Sequence, residues 1–200
     1  MPLKRRKFER PLGQLRYKKI VFIAAEGQKT EPSYFNQFNR QGSLVRVSCL
    51  KNSHGSPSNV LKNMKDYLRN ESLRADDEAW LVVDRDSWTD EQLRCLHEWS
   101  QKRDNYHLAL SNPRFEYWLL LHFENGNRVT TPQECSNRLR KYLPEYDKSI
   151  DPKKTTSERI NSAIQRAKQR DNPPCTDWPR TFGSTVYRLV ENILKTSNTA

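Results

Sequence analysis

The chain lacks several features that mark common classes of protein. It has only six glycines and no G-x-x-x-x-G-K-[ST] sequence, which excludes a P-loop ATPase site of its own. Its four cysteines form no C-x-x-C pair, and such wide spacing favours free thiols in a reducing cytosol. No apolar run approaches the length of a membrane span, and the N-terminal residues lack the apolar region of a signal peptide. We therefore expect a cytoplasmic protein that does not enter a membrane.

The composition is polar for a globular protein. Hydrophobic residues make up 34% of the chain, and its mean hydropathy is −0.98. Five Trp, eight Tyr and seven Phe still supply large apolar groups. A modest core surrounded by polar helices is expected, and a length of 200 residues suits one domain, or one domain with a helical extension.

The positive charge is concentrated at the N-terminus. The net charge is +11, and residues 1–20 hold eight Lys or Arg and one acidic residue, against 27 and 23 in the remainder. A basic tail of this kind contacts phosphates or anionic surfaces, or it is a solvated leader. The body of the chain is not a uniformly basic clamp for DNA, and charge alone does not identify a substrate.

The pattern of apolar residues predicts strands that alternate with helices. The predicted strands are KKIVFIAAE (18–26), LVRVSCL (44–50), AWLVVD (79–84) and YHLALS (106–111). The predicted helices between them span about 31–40, 60–74 and 89–102, with Thr30 as a candidate N-cap for the first. This order implies an α/β fold, a doubly wound and at least partly parallel sheet flanked by helices.

The character of the sequence changes after residue 113. FEYWLLLHF is densely apolar and indicates a core helix, and segments 131–143, 155–170 and 183–196 indicate further helices. No repeat or low-complexity linker separates them from the preceding part. We expect a basic tail (1–17), an α/β core (18–125) and a C-terminal helical part (126–200) that packs on the core.

Acidic residues stand at the ends of two apolar strands. Glu26 closes the first predicted strand and Asp84 the third, and Asp86 faces the same side as Asp84 if the chain stays extended. Ligands of open α/β sheets bind at the carboxyl ends of strands. Converging carboxylates repel one another unless a cation lies between them, and Mg²⁺ or Mn²⁺ suits such oxygen ligands. Each acid also has a plainer reading, as a chain exit from the core or as a helix cap.

Three strings in this order resemble a known family: VFIAAEGQKTEPSYF, WLVVDRDSW and LALSNPRFEYWLLLHF. They resemble the RloB-like family of restriction-linked and abortive-infection proteins, which is similar to the Toprim nucleases. The resemblance covers residues from about 18 to 125 strongly and the C-terminal helices loosely. It implies a Toprim-like (Rossmann-like) sheet in which Asp84 and Asp86 bind Mg²⁺ or Mn²⁺. Glu26 then completes the metal site or acts as a general acid or base.

Six further positions receive supporting roles from the same resemblance. The candidate substrate-binding residues are Lys29, Arg85 and Arg114, and the candidate supporting residues around them are Glu31, Asn112 and Glu116. Each has an alternative: Lys29 as a solvated lysine, Glu31 as a partner of the helix dipole, and Arg85 in an outward salt bridge. Glu116 lies within an apolar run, where a carboxylate needs a reason to be, unless it faces solvent. Trp88 either stacks on bases or lies in the core.

The resemblance implies a metal-dependent endonuclease that is the toxic effector of an anti-phage system. Its substrate is DNA or structured RNA such as tRNA, and its partner is an ATP-binding protein (an AAA- or ABC-type ATPase) encoded nearby. One alternative is a non-catalytic Toprim-like module that docks on the ATPase or on nucleic acid. A nucleotidyl transferase or primase-like activity ranks lower, because no triphosphate-binding loop is present. The oligomeric state stays open.

Overall fold

The computed structural model describes residues 18–51, 57–86 and 88–197, so the predicted tail 1–17 lies outside the described residues. This part of the chain forms five strands, which are β1 (Lys19–Ala25), β2 (Val45–Cys49), β3 (Glu78–Asp84), β4 (Tyr106–Asn112) and β5 (Gly183–Ser184). It also forms a short 3-10 helix (Pro152–Lys154) and seven α-helices, which are α1 (Thr30–Asn36), α2 (Pro57–Asn70), α3 (Asp90–Ser100), α4 (Phe115–Leu120), α5 (Pro132–Tyr142), α6 (Ser157–Arg170) and α7 (Val186–Ser197).

The strands form one sheet in the order β2-β1-β3-β4-β5. The pairs β1–β2, β1–β3 and β3–β4 are parallel, and the short β5 runs antiparallel to β4. The predicted α/β fold, a mostly parallel Rossmann-like sheet flanked by helices, is confirmed. After β1 the chain forms β2 on one side of it and then crosses to the other side to form β3. The strand order therefore reverses between β1 and β3. Ligands of such sheets bind at this point.

Each central strand buries both of its faces. Val21 and Ile23 of β1 belong to one core, and Phe22 and Ala24 belong to the core on the opposite face. The first core contains residues of α1, α4, α5, α6 and α7, whereas the second contains residues of α2 and α3. This two-sided burial explains the near-continuous apolar runs of β1 and β3. The helices of the C-terminal part therefore share a core with the sheet.

Several predicted element ends differ from the observed ones. Helix α2 ends at Asn70 rather than near Arg74, because Arg74 takes part in a turn where its backbone N–H and guanidinium donate to Asp77. Helix α4 ends at Leu120 and is shorter than the apolar run that predicted it. The segment predicted as a helix from 183 begins with the strand β5, which at two residues is too short to show a periodic pattern.

The predicted N-cap of the first helix is wrong, whereas α3 has a threonine as its N-cap, a residue type that is favoured at this position. The N-cap of α1 is Lys29 and makes no side-chain cap bond, and Thr30 is the first helical residue. Thr89 caps α3 in a capping box with Gln92.

All four cysteines are free thiols, in agreement with the expectation from their spacing. In the part of the chain that the structure describes, no helix is both long and apolar enough to cross a bilayer.

Candidate functional site

The carboxyl ends of β1 and β3 bring Glu26 and Asp84 together. The backbone N–H of Glu26 donates to the carbonyl of Val82, which continues the parallel pairing past the end of β1 (3.1 Å). The backbone N–H of Asp84 in turn donates to Glu26 Oε2 (3.3 Å). The indole of Trp88 donates to the same oxygen (2.8 Å). Trp88 is otherwise buried among the residues of the second core, so one of its two predicted roles, packing in the core, is the one observed.

These strand ends open into a pocket of about 410 Å³, which we call the acidic pocket. Four carboxylates line it, and they belong to Glu26, Glu31, Asp84 and Glu116. Two lysines, Lys29 and Lys148, also line it. The pocket therefore combines anionic groups that attract a cation with cations that attract a phosphate.

Asp84 is the most strongly perturbed of the four acids. Its Oδ1 atom is buried and has no hydrogen-bond partner. Burial raises the pKa of Asp84 well above its usual range, and the negative charges of Glu31, Glu26, Glu116 and Asp86 raise it further. A buried, unpartnered carboxylate oxygen surrounded by other carboxylates is costly unless a proton or a cation neutralises it.

Glu31 shows the same behaviour and lies deep in the acidic pocket. Only 4% of its surface is exposed, and burial raises the pKa of its carboxyl group to about 7, with smaller contributions from Glu116 and Glu26. Its Oε1 accepts a hydrogen bond from the backbone N–H of Gly27 (3.2 Å). The family resemblance predicted a supporting role for Glu31, and in the structure it lines the same pocket as Asp84.

Gly27 makes room for the Glu31 carboxylate. A Cβ atom at position 27 would lie 2.0 Å from Glu31 Oε2 and 2.7 Å from its Cδ. Real Cβ atoms essentially never approach a heavy atom so closely, so any larger residue would displace the carboxylate. The Glu26-Gly27 pair therefore positions two acids: Glu26 directly, and Glu31 by leaving space for it.

Tyr146 connects Glu116 and Thr30 of the acidic pocket to the C-terminal part. Its hydroxyl donates to Glu116 Oε1 (3.2 Å) and lies 3.3 Å from Thr30 Oγ1, which can donate to it. Lys148 follows two residues later, with a positive φ of 56°. Neither residue was identified from the sequence, since the polar segment between α5 and the 3-10 helix has no periodicity that would place its side chains.

Asp86 does not line the acidic pocket. Its Oδ2 accepts a short hydrogen bond from Arg114 Nε, and its backbone N–H donates to the carbonyl of Pro113. Within residues 18–51, 57–86 and 88–197, no group of three His, Cys, Asp or Glu side chains is arranged to hold a metal ion. The predicted set of Glu26, Asp84 and Asp86 is thus brought to one edge of the sheet but does not converge on one point. Metal binding stays a prediction.

The remaining predicted residues contact protein groups. Arg85 donates to the carbonyl of Trp88 (2.6 Å) and pairs with Asp90 (2.5 Å), which is the outward salt bridge weighed as its alternative role. Asn112 donates to the carbonyl of Pro179 (3.0 Å). Arg114 pairs with Asp86, as described above. Lys29 is exposed at the rim of the acidic pocket. Substrate contact by Lys29, Arg85 and Arg114 stays a prediction.

The residues present suit a hard divalent cation in their chemistry. Oxygen ligands of this kind are the ones Mg²⁺ and Mn²⁺ prefer, and the orphaned Asp84 Oδ1 is an atom that such an ion would satisfy. Three other carboxylates line the same pocket as Asp84, and their negative charge raises its pKa. The glutamate side chains would have to move before several of these oxygens contact one ion.

The fold and the pocket define a class: a Rossmann-like α/β protein with an acidic pocket at the carboxyl ends of its parallel strands, where the strand order reverses. A family model described as RloB-like protein matches residues 21–193. The chain therefore belongs to the RloB-like family, as its sequence motifs predicted. Comparison with curated proteins and with solved structures gave no match.

Proposed function

We propose that this chain is a divalent-metal-dependent nuclease of the Toprim type and the effector of an anti-phage abortive-infection system. One observation carries the proposal: the buried Asp84 Oδ1 lacks a partner at the point where the strand order reverses, among three other carboxylates. A protein that used this edge only for packing would gain stability from a neutral residue there, because the repulsion and burial of these acids oppose folding. Destabilising charge of this kind is concentrated at functional sites.

Asp84 and Glu26 would hold the ion, with Glu31 or Glu116 as further oxygen ligands from the pocket wall. The chemistry that a bound divalent ion supplies is activation of water and neutralisation of charge on the phosphate. Lys29 and Lys148 lie at the same pocket and offer ammonium groups to the phosphate oxygens of a nucleic acid. Trp88 holds Glu26 through its indole N–H, so that one oxygen of this carboxylate is fixed relative to the backbone of Asp84.

A second candidate function is a module that docks on a partner ATPase or on nucleic acid without cutting it. The observation that favours it is the engagement of Asp86 by Arg114, which leaves the predicted three-residue metal set incomplete. In this reading the acidic pocket binds an ion for structural reasons or binds a basic group of the partner. The two functions differ in one measurable respect, the cleavage of a phosphodiester bond.

The test compares wild type with Asp84→Asn and Glu26→Gln on plasmid DNA and on total tRNA. Each protein is incubated with Mg²⁺, with Mn²⁺ or with EDTA, in the presence and absence of the proposed partner ATPase. Glu98→Gln, an exposed acid on α3, is the matched control. We expect metal-dependent cleavage by wild type and the control, and its loss in both site variants. Nucleic-acid binding without cleavage under every condition would rule out the nuclease and favour the docking module.

Asp86→Asn distinguishes the roles of the two aspartates. If Asp86 only holds Arg114, the substitution weakens cleavage less than Asp84→Asn does, because the acidic pocket keeps its four carboxylates. An equal loss in both variants would mean that Asp86 leaves Arg114 and joins the site when the ion binds.

A further inference from the structure

A groove leads from the acidic pocket along the segment between α5 and α6. Its first part is a depression of about 440 Å³ whose wall includes Leu143, Pro144, Tyr146 and Lys154. It meets the acidic pocket at Tyr146, because the hydroxyl of this residue contacts Glu116 and Thr30 in the pocket wall. Its second part shares Lys154 with the first and continues to Arg159. We call this surface the side groove.

An aromatic stack lies next to the side groove, because Arg159 of the groove contacts Phe123 and Leu143 of the groove follows Tyr142 in the chain. The rings of Phe123 and Tyr142 are parallel, with centroids 5.0 Å apart and planes inclined by 9°. The guanidinium of Arg159 lies 4.9 Å from the centroid of Phe123. Tyr142 is 39% exposed, and among the described residues no other large apolar side chain is classed as exposed. Since Phe123 covers one face of the Tyr142 ring, a ligand that stacks on Tyr142 must use the opposite face.

The cations of the side groove are available to an anionic ligand. Lys153 and Lys154 are exposed, and neither takes part in an ion pair within the described residues. Three acids also line the groove: Asp151 accepts from the N–H of Lys153, Glu158 accepts from the Thr156 hydroxyl, and Glu145 is exposed. Lysines beside an exposed aromatic face form the combination that binds unpaired nucleotides, with phosphates on the cations and bases on the ring.

We propose that the side groove binds a single-stranded stretch of the nucleic acid next to the bond placed in the acidic pocket. One base stacks on the face of Tyr142 opposite Phe123, while Lys153 and Lys154 contact the phosphates. This inference rests on the proposed nuclease function for the identity of the ligand, and it specifies a strand with unpaired bases. The bases of a duplex stack on one another and offer no free face to a tyrosine. Unpaired RNA and unpaired DNA share this chemistry.

The experiment measures binding of the full-length protein by fluorescence anisotropy in EDTA, so that no strand is cut. The probes are a labelled single-stranded RNA, a single-stranded DNA of the same sequence, and the two corresponding duplexes, all at one fixed salt concentration. The variants are Tyr142→Ala, Tyr142→Leu, Tyr142→Phe and the pair Lys153→Ala/Lys154→Ala. Tyr142→Leu keeps apolar packing on Phe123, and the control pair Lys62→Ala/Lys65→Ala lies on exposed positions of α2, which packs on the other face of the sheet.

We expect Tyr142→Ala and Tyr142→Leu to weaken binding of single strands by about 5- to 100-fold, the range for losing one stacked base, and to leave duplex binding unchanged. Tyr142→Phe retains binding, because the ring remains when the hydrogen bond to Glu124 is lost. The Lys153→Ala/Lys154→Ala pair weakens binding, whereas the α2 control does not. The probe, RNA or DNA, that shows the larger Tyr142 effect identifies the sugar.

Unchanged single-strand binding in Tyr142→Leu, or an equal loss for duplexes, would overturn the proposal. The assays also distinguish failure of the side-groove proposal from failure of the proposed nuclease function. If single strands bind through Tyr142 but wild type never cuts, the groove stands and the nuclease fails. If wild type cuts while Tyr142→Leu binds single strands normally, the groove fails and the nuclease stands.

Discussion

Gly27→Ala is expected to perturb the candidate site of this protein while leaving its fold intact. The new Cβ would lie 2.0 Å from Glu31 Oε2, so the Glu31 carboxylate must leave its position in the acidic pocket. The backbone itself tolerates alanine, because φ of Gly27 lies outside the left-handed region. The substitution therefore acts on the carboxylate rather than on the turn.

The expected change in folding free energy is small. Loss of the hydrogen bond from the Gly27 N–H to Glu31 costs about 1–3 kcal/mol. The lower entropy of the unfolded chain with alanine returns about 0.4–1 kcal/mol. Moving Glu31 also removes a negative charge from beside Asp84, which favours the fold. A net loss of about 1–2 kcal/mol is expected, and the protein stays folded.

Gly27→Ala is expected to reduce metal affinity by a larger factor than it reduces the folding equilibrium constant. Displacing a group that ligates a metal or orients its ligands lowers metal affinity about 10- to 100-fold. At a saturating Mn²⁺ concentration, this reduces the stabilisation by metal by about 1.4–2.8 kcal/mol. The assay is chemical unfolding of wild type and Gly27→Ala in EDTA and in Mn²⁺, together with the cleavage assay.

A double-mutant cycle with Glu31→Ala tests the reasoning. If Gly27→Ala acts only by displacing Glu31, it has no further effect on metal binding in the Glu31→Ala background. Full stabilisation by Mn²⁺ in Gly27→Ala, or additive losses in the double variant, would refute this account.

Three further predictions concern the scaffold and the site. His122 is buried and neutral, accepting from Tyr34 and donating to the Trp118 carbonyl, and burial lowers its pKa to about 4. In the unfolded chain the His122 side chain binds a proton below about pH 6.5, so folding stability is lost as pH falls. The expected loss is about 2 kcal/mol from pH 7 to pH 5. Urea unfolding of wild type and His122→Gln at both pH values measures this loss. Arg188→Met leaves the buried Asp171 without its cation and costs about 3 kcal/mol in urea unfolding. Arg180→Met removes an exposed guanidinium from the half-buried Asp177 and costs less than about 1 kcal/mol. Tyr146→Phe removes the donor to Glu116 and lowers the rate of cleavage while leaving single-strand binding unchanged, which the cleavage and anisotropy assays compare. Equal losses in both assays would mean that the Tyr146 hydroxyl also contributes to single-strand binding in the side groove.

The sequence predicted most of the fold because the central strands carry strong local signals. β1 and β3 are near-continuous apolar runs, which is the pattern of parallel strands covered on both faces, and both were found within one residue of the predicted ends. Prediction failed where the pattern of apolar residues was weak, or where a helix and a buried non-helical segment share the same pattern. β5 has two residues, and α4 continues into an apolar segment that is buried without being helical. The boundaries between tail, core and C-terminal part stay a prediction.

The candidate site was predicted in part for a similar reason. Glu26 and Asp84 follow buried strands, and parallel strands bring their carboxyl ends to one edge, so topology places these two acids together. Asp86 lies two residues past its strand, and its side chain pairs with Arg114 and does not line the acidic pocket. Sequence spacing cannot foresee such a competing partner.

The amino-acid sequence by itself determined the alternation of strands and helices, the family, and the two acids at the strand ends, because these depend on residues near one another in the chain. Only the tertiary structure decided which other groups join them. Glu116 and Tyr146 meet across 30 positions, and Tyr142 of α5 stacks on Phe123 in the turn after α4. Such contacts arise when the C-terminal helices pack against the sheet, and no periodicity along the chain records them.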